Sequence, residues 1–191
     1  MEAMLTEAYG RLKEGYFEEA VEAFSNFILL DSEEARGYYG RGMARFRLKK
    51  WEAAASDFRK AQQLRPEDPE NDVALATSLA AGNKIYEAIA VFEDLLKRNP
   101  RYVRAHIQLA QLYYRLGVIA KGHRQLDVAL AARPTLSERK TIEDLKNEQL
   151  ALDKKRYYRP DFEELRRQNR AASAGGLLTR IKNLFGRKTG P

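Results

Sequence analysis

The sequence predicts an all-α fold, an α-α superhelix (solenoid) of four 34-residue helical hairpins with a C-terminal capping helix and a basic tail. Three observations predict it. Residues of one type recur every 34 positions, as in Ala20, Ala54, Ala88 and Gly122, or Phe24, Phe58, Phe92 and Leu126. Each period holds two apolar stripes of helical spacing, separated by a short break. Each of the last three periods closes on a proline, at Pro66, Pro100 and Pro134, with Ser32 in that place in the first. Self-similarity at such a period is the mark of a stacked repeat, in which each unit buries its apolar face only against its neighbours.

The repeats are expected at 1–34, 35–68, 69–102 and 103–134. Further columns hold register without insertion: Ala8, Gly42, Ala76 and Ala110; Phe17, Trp51, Ile85 and Ile119; Phe27, Ala61, Leu95 and Ala129. In the second repeat one helix runs from Arg36 to Leu48, breaks at Lys49–Lys50, and is followed by another from Trp51 to Leu64. Ala54, Phe58 and Ala61 lie at i, i+4 and i+7 on one face of that second helix. Pro66 ends it, because a proline ring cannot continue a helix and pushes the preceding residue out of the α region. Gly42 and Ala54 are small where two helices cross, which lets the backbones approach closely. After Pro134, Leu136, Ile142, Leu145 and Leu152 mark a capping helix within 135–157, with Ser137 as its expected N-cap. A short helix is expected over 158–170, starting near Pro160–Asp161. A linker and a basic amphipathic tail complete the chain over 171–191.

These residues resemble the tetratricopeptide repeat family, whose 34-residue unit carries a large apolar residue, a glycine, an aromatic, an alanine, a phenylalanine and a closing proline. Tyr38, Gly42, Trp51, Ala54, Phe58, Ala61 and Pro66 match best. Asp72 replaces the early aromatic of the third repeat, and Gly122 replaces the alanine of the fourth. The resemblance covers Met1 to Pro134 and implies protein–protein interaction. One subclass of the family grips chaperone C-terminal carboxylates with Lys and Asn. Leu5, Tyr9, Gly40, Glu70 and Ala74 stand in those places here, so that ligand is not expected.

Composition narrows the chemistry. Lys+Arg number 34 and Asp+Glu 27, a net charge of +7, and cysteine is absent. A disulfide framework, a thiol nucleophile and cysteine metal sites are excluded. The two histidines, His106 and His123, do not make a multi-histidine centre. His106 falls where such repeats bury a large side chain, and His123 reads as surface or hairpin packing. No phosphate-binding glycine loop, zinc-protease motif or serine nucleophile elbow occurs. The expectation is a non-enzymatic protein with no cofactor and no metal. No membrane-length apolar run and no secretory leader are read from the chain, so a cytoplasmic location is expected.

The expected functional surface is the concave groove lined by the first helix of each hairpin. Helical spacing assigns to it Leu5, Tyr9 and Leu12; then Arg36, Tyr39, Met43, Phe46 and Arg47; then Val73, Thr77 and Ala80; then Arg104, Ile107, Gln108, Gln111, Tyr114 and Arg115. Four arginines lie among aromatic residues, and no carboxylate in the third and fourth sets offsets them. This pattern suits a scaffold or adaptor that binds an acidic or amphipathic peptide or helix of a partner protein, since arginine engages carboxylates through paired hydrogen bonds.

The basic end is a second candidate. Residues 153–191 hold eleven Lys/Arg against four Asp/Glu, while the remainder is neutral. Leu177, Leu178, Ile181, Leu184 and Phe185 form an apolar stripe flanked by cations. Such a tail is expected to dock on protein, its own or a partner's, with self-association as one form of this, or to lie on an anionic membrane. The alternative function is therefore a peripheral membrane or nucleic-acid-associated adaptor acting through the tail. Lys154–Arg159 interleaves charge and aromatics, but Asp161, Glu163 and Glu164 interrupt the positive charge beyond it and no nucleic-acid module appears, so nucleic acid is not the expected partner.

Overall fold

The computed structural model describes residues 1–157, with side chains described through 153, and forms two compact units, Met1–Asn147 and Glu148–Pro191. The expected helix over 158–170 and the tail over 171–191 lie outside the described residues. The first unit is built from paired helices: α1 (Glu2–Glu14) with α2 (Phe17–Leu30), α3 (Ala35–Arg47) with α4 (Trp51–Leu64), α5 (Pro69–Ala81) with α6 (Ile85–Arg98), and α7 (Val103–Arg115) with α8 (Ile119–Ala131). A ninth helix, α9 (Leu136–Tyr157), begins in this unit. Among the described residues there is no strand.

Each hairpin turns in the same way. Gly15, Lys49, Asn83 and Gly117, one period apart, all adopt positive φ of 59 to 93°. At each turn two backbone N–H groups fold back onto the helix end, as when Lys49 N donates to Phe46 O and Lys50 N to Arg45 O. The left-handed residue lets these donors satisfy carbonyls that the helix end leaves open. Glycine and asparagine suit that conformation, and Lys49 adopts it against its preference.

The second helix of each pair supplies the ring that fills the core. Phe24, Phe58 and Phe92 are at most 1% exposed, and Ala20, Ala54, Ala88 and Leu126 are fully buried. Gly42 lies directly under Phe58: a Cβ there would sit 2.9 Å from the ring. Gly40 is tighter still, since a Cβ would lie 2.3 Å from Phe24.

Both departures from the repeat pattern have physical reasons. Asp72, fully buried where an aromatic stands in the second repeat, accepts from Arg98 at 2.8 Å and from Gln62. Gly122 makes room for Tyr114, whose ring would lie 2.3 Å from a Cβ at that position. His106 occupies the same column as Tyr38 and Asp72. It is buried with both ring nitrogens engaged, Nδ1 with Gln125 at 2.7 Å and Nε2 with the Pro100 carbonyl at 3.0 Å.

Past the fourth hairpin, Ile142 is fully buried in one cluster with Ile107, Ala110, Leu126 and Ala129. The cap of α9 differs from the expectation. Thr135, not Ser137, opens the helix: its backbone N and hydroxyl donate to Glu138 at 2.9 and 2.8 Å, and the Glu138 N–H donates back to Thr135 Oγ1. This reciprocal capping box satisfies donors at both positions. In the second unit, the described turns of α9 carry a hydrogen bond from Gln149 to Asp153.

Candidate functional site

α1, α3, α5 and α7 approach one another along one face of the first unit. On α3, Tyr39, Met43 and Phe46 fall at i, i+4 and i+7, so one stripe of the helix presents three large side chains. Val73 and Thr77 of α5 oppose them. Together with Ala74, and with Phe58 beneath, they line an apolar cavity of about 160 Å³. Neighbouring rings hold its walls. Tyr39 meets Phe58 edge-on with centroids 5.4 Å apart, and Phe46 meets Trp51 at 4.8 Å. Glu70 and Arg104 close one end. A second cavity of about 250 Å³ adjoins it through Tyr39 and Glu70, and adds Ala35, Arg36, Arg65, Asp68 and Asn71. Burial, then the Glu70 carboxylate, pushes the Tyr39 hydroxyl above its ordinary pKa, so it faces the cavities protonated.

The arginines do not form the uncompensated set that the sequence suggested. Arg36 donates to Glu2 at 2.9 Å and to Glu34 at 3.1 Å, and Arg104 donates to Glu70 at 2.7 Å. Glu70 also accepts from Tyr102. The missed signal lies in one column: Glu2, Arg36, Glu70 and Arg104 are successive members one period apart, and their charges alternate. Arg47 is exposed and has no ion-pair partner among the described residues. Arg115 is exposed and, among the described residues, donates to the Ala80 carbonyl at 3.4 Å without an ion-pair partner.

The other expected residues divide in two. Tyr9 is half-buried and structural: its hydroxyl donates to the Arg36 carbonyl at 3.0 Å and its ring lies edge-on to Phe24. Burial, chiefly, raises its pKa to about 12. Leu5, Ala80 and Ile107 are buried and, unlike the equally buried Val73, line neither cavity. Ile107 shares its cluster with Ile142 of α9, and Tyr114 packs over Gly122 with its hydroxyl 3.0 Å from His123 Nδ1. Tyr114 is drawn in by the missing side chain at Gly122, whereas Ile107 is buried like Leu5 and Val73 of its own column. Leu12, Gln108 and Gln111 are half-buried. Leu177, Leu178, Ile181, Leu184 and Phe185 lie outside the described residues.

Two models of the tetratricopeptide repeat family match the chain, over residues 5–69 and 79–141. The chain belongs to the tetratricopeptide repeat family. A TPR repeat-containing thioredoxin of Arabidopsis thaliana is 33% identical over 99 residues, which are 52% of this chain and 14% of that protein. The chain therefore spans about a seventh of the length of that curated relative. Among solved structures, MamA superposes with a TM-score of 0.64 at 22% identity, covering 69% of this chain and 77% of the other. The second TPR domain of the human RPAP3 protein, solved with an HSP70 peptide, gives 0.54 at 27% identity, covering 57% of this chain and 91% of that domain. This tetratricopeptide repeat chain places none of the carboxylate-gripping Lys and Asn on its own groove. Leu5 is in the core, Gly40 lies under Phe24, and Glu70 is held by Arg104 and Tyr102.

Proposed function

We propose that this protein is a non-enzymatic interaction adaptor that holds an acidic or amphipathic segment of a partner protein against α3 and α5. The observation that carries the reading is the apolar cavity between Tyr39, Met43, Phe46, Val73 and Thr77. Its walls are fixed by packing, and aromatic and methionine side chains of that kind supply contact area at modest entropic cost. A segment that buries one large apolar side chain there gains about 1.5–3 kcal/mol from that side chain. The similar RPAP3 domain with its bound peptide supports a peptide-holding mode in general. The absent carboxylate grip argues for a different ligand.

The test is site-directed crosslinking in the full chain. A photoreactive residue at Met43 is expected to capture peptides selected for binding to the protein, and the same residue at Lys97, exposed on α6, is not. Equal capture from both positions would move the binding surface off the α3–α5 face. Thr77→Arg, which fills the cavity with a charged side chain, is expected to abolish capture at Met43.

A further inference from the structure

We infer that the groove reads its partner with a fixed polarity: one large apolar side chain enters the α3–α5 cavity, and the partner's carboxylates turn toward Arg47 and Arg115 rather than toward Arg36 and Arg104. The inference rests on the adaptor reading above and names the partner's chemistry. Where α3, α5 and α7 begin, Arg36 is held by Glu2 and Glu34, Arg65 by Glu34, and Arg104 by Glu70. Asp68 adds a further carboxylate, with one oxygen accepting from the Glu70 N–H. A partner carboxylate brought to this end meets cations that already have partners and the carboxylates that hold them, and like charges placed together cost binding.

The other end of the same helices is different. Lys13, Arg47, Ala81 and Arg115 form one column, each a period apart, at the ends of α1, α3, α5 and α7. Lys13, Arg47 and Arg115 are exposed, and none has an ion-pair partner among the described residues. Lys49 and Lys50, in the turn after α3, are exposed on the same edge. The carboxylates nearby in sequence are Glu14, at the end of α1, and those that begin the second helices: Glu18 and Glu19 on α2, Glu52 on α4, which Lys84 holds at 3.0 Å, and Glu87 on α6. The apolar cavity lies between the two ends, so the groove has a neutralised, carboxylate-rich side and an open cationic side.

Spacing adds a length to the chemistry. Arg47 on α3 and Arg115 on α7 are two helix steps apart, about 20 Å at the usual packing distance. An extended chain covers that in about six residues. The fitting partner is an extended segment with a central large apolar residue and carboxylates about six residues apart.

The experiment is fluorescence polarisation of the full chain with three labelled probe peptides of about nine residues. The first has a central Leu between two Glu, the second has Lys in place of both Glu, and the third has Ala in place of Leu. The acidic probe is expected to bind at least about tenfold more tightly than the lysine probe, and to weaken as salt is added. R47E combined with R115E is expected to invert the preference, binding the lysine probe better, with only a small drop in melting temperature, since both side chains are exposed but each ends a helix, where a carboxylate is disfavoured. Replacing Leu with Ala is expected to lose binding as well. An unchanged preference in the double variant, or no binding of the acidic probe to the parent, overturns the polarity. If Thr77→Arg abolishes acidic-probe binding while the double variant keeps it, the polarity falls and the groove stands. If both variants keep it, both readings fall.

Discussion

Arg104 donates to Glu70 across 2.7 Å, and the two residues hold the same place in successive repeats. Arg36 and Glu2 repeat the relationship at 2.9 Å. The pairs tie first helices together along the groove, so they act as links between repeats. Exposed pairs of this kind add little to stability, because water and salt screen them and two long side chains must be held still. Their larger consequence is electrostatic, because they remove two of the four groove arginines from the set open to a ligand.

Truncating Phe58 tests the core. Its ring is 1% exposed, lies over Gly42 and meets Tyr39 edge-on. Phe58→Ala is expected to destabilise the protein by about 3–5 kcal/mol in chemical denaturation, as buried aromatic truncations do. A loss under about 1 kcal/mol would contradict the packing.

Two glycine substitutions should act in opposite directions. Alanine is the better helix former, and Gly10 has nothing within 4 Å of a Cβ, so Gly10→Ala is expected to stabilise by up to about 1 kcal/mol. Gly40→Ala drives a methyl to 2.3 Å from Phe24 and is expected to cost about 1–3 kcal/mol through overpacking. Thermal melts of the two variants check the sign of each.

The shared turn conformation supplies a third test. Lys49 has φ 59° where two of its counterparts are glycine. Lys49→Gly is expected to raise stability by about 1 kcal/mol, measured by urea unfolding, because the left-handed conformation costs an L residue about that much. No gain would mean that the lysine is compensated elsewhere in the turn.

Glu34 gives a pH dependence. A side-chain hydrogen bond from Arg36, outweighing partial burial, holds its pKa below the ordinary carboxylate value. A depressed folded-state pKa stabilises the fold at pH above the unfolded value, and that contribution disappears as pH falls through the folded value. Acid unfolding of Glu34→Gln should therefore start from a lower stability at neutral pH and show a shallower decline below pH about 4.5. Parallel curves for the two proteins would refute the assignment.

The period made much of this protein legible. Phe24, Phe58 and Phe92 could be assigned to the core from spacing alone, because a residue repeated in register meets the same surroundings in each copy. That logic weakens at the last copy. Tyr114 occupies a column that looks outward at Phe46, but it turns in over Gly122 of α8, and Ile107 follows the buried Leu5 and Val73 of its column rather than the half-buried Tyr39. The alternating column of Glu2, Arg36, Glu70 and Arg104 was visible in the sequence, yet its pairing depends on which helices stand side by side. Lys49 carried no sign of its left-handed backbone; Gly15, Asn83 and Gly117 did.

Among the described residues the first unit is built mostly from contacts between helices adjacent in sequence, and its longer steps, such as α1 to α3, α5 to α7 and α7 to α9, skip a single helix. Low separation between touching segments is associated with fast folding. It also bears on synthesis. Once α3 and α4 have left the ribosome, the first two hairpins possess their main mutual contacts, and nothing from the far end is needed to complete them. The groove would then be assembled in order of translation, with the apolar walls of the α3–α5 cavity in place once the third repeat emerges and its end closed by Arg104 when α7 follows.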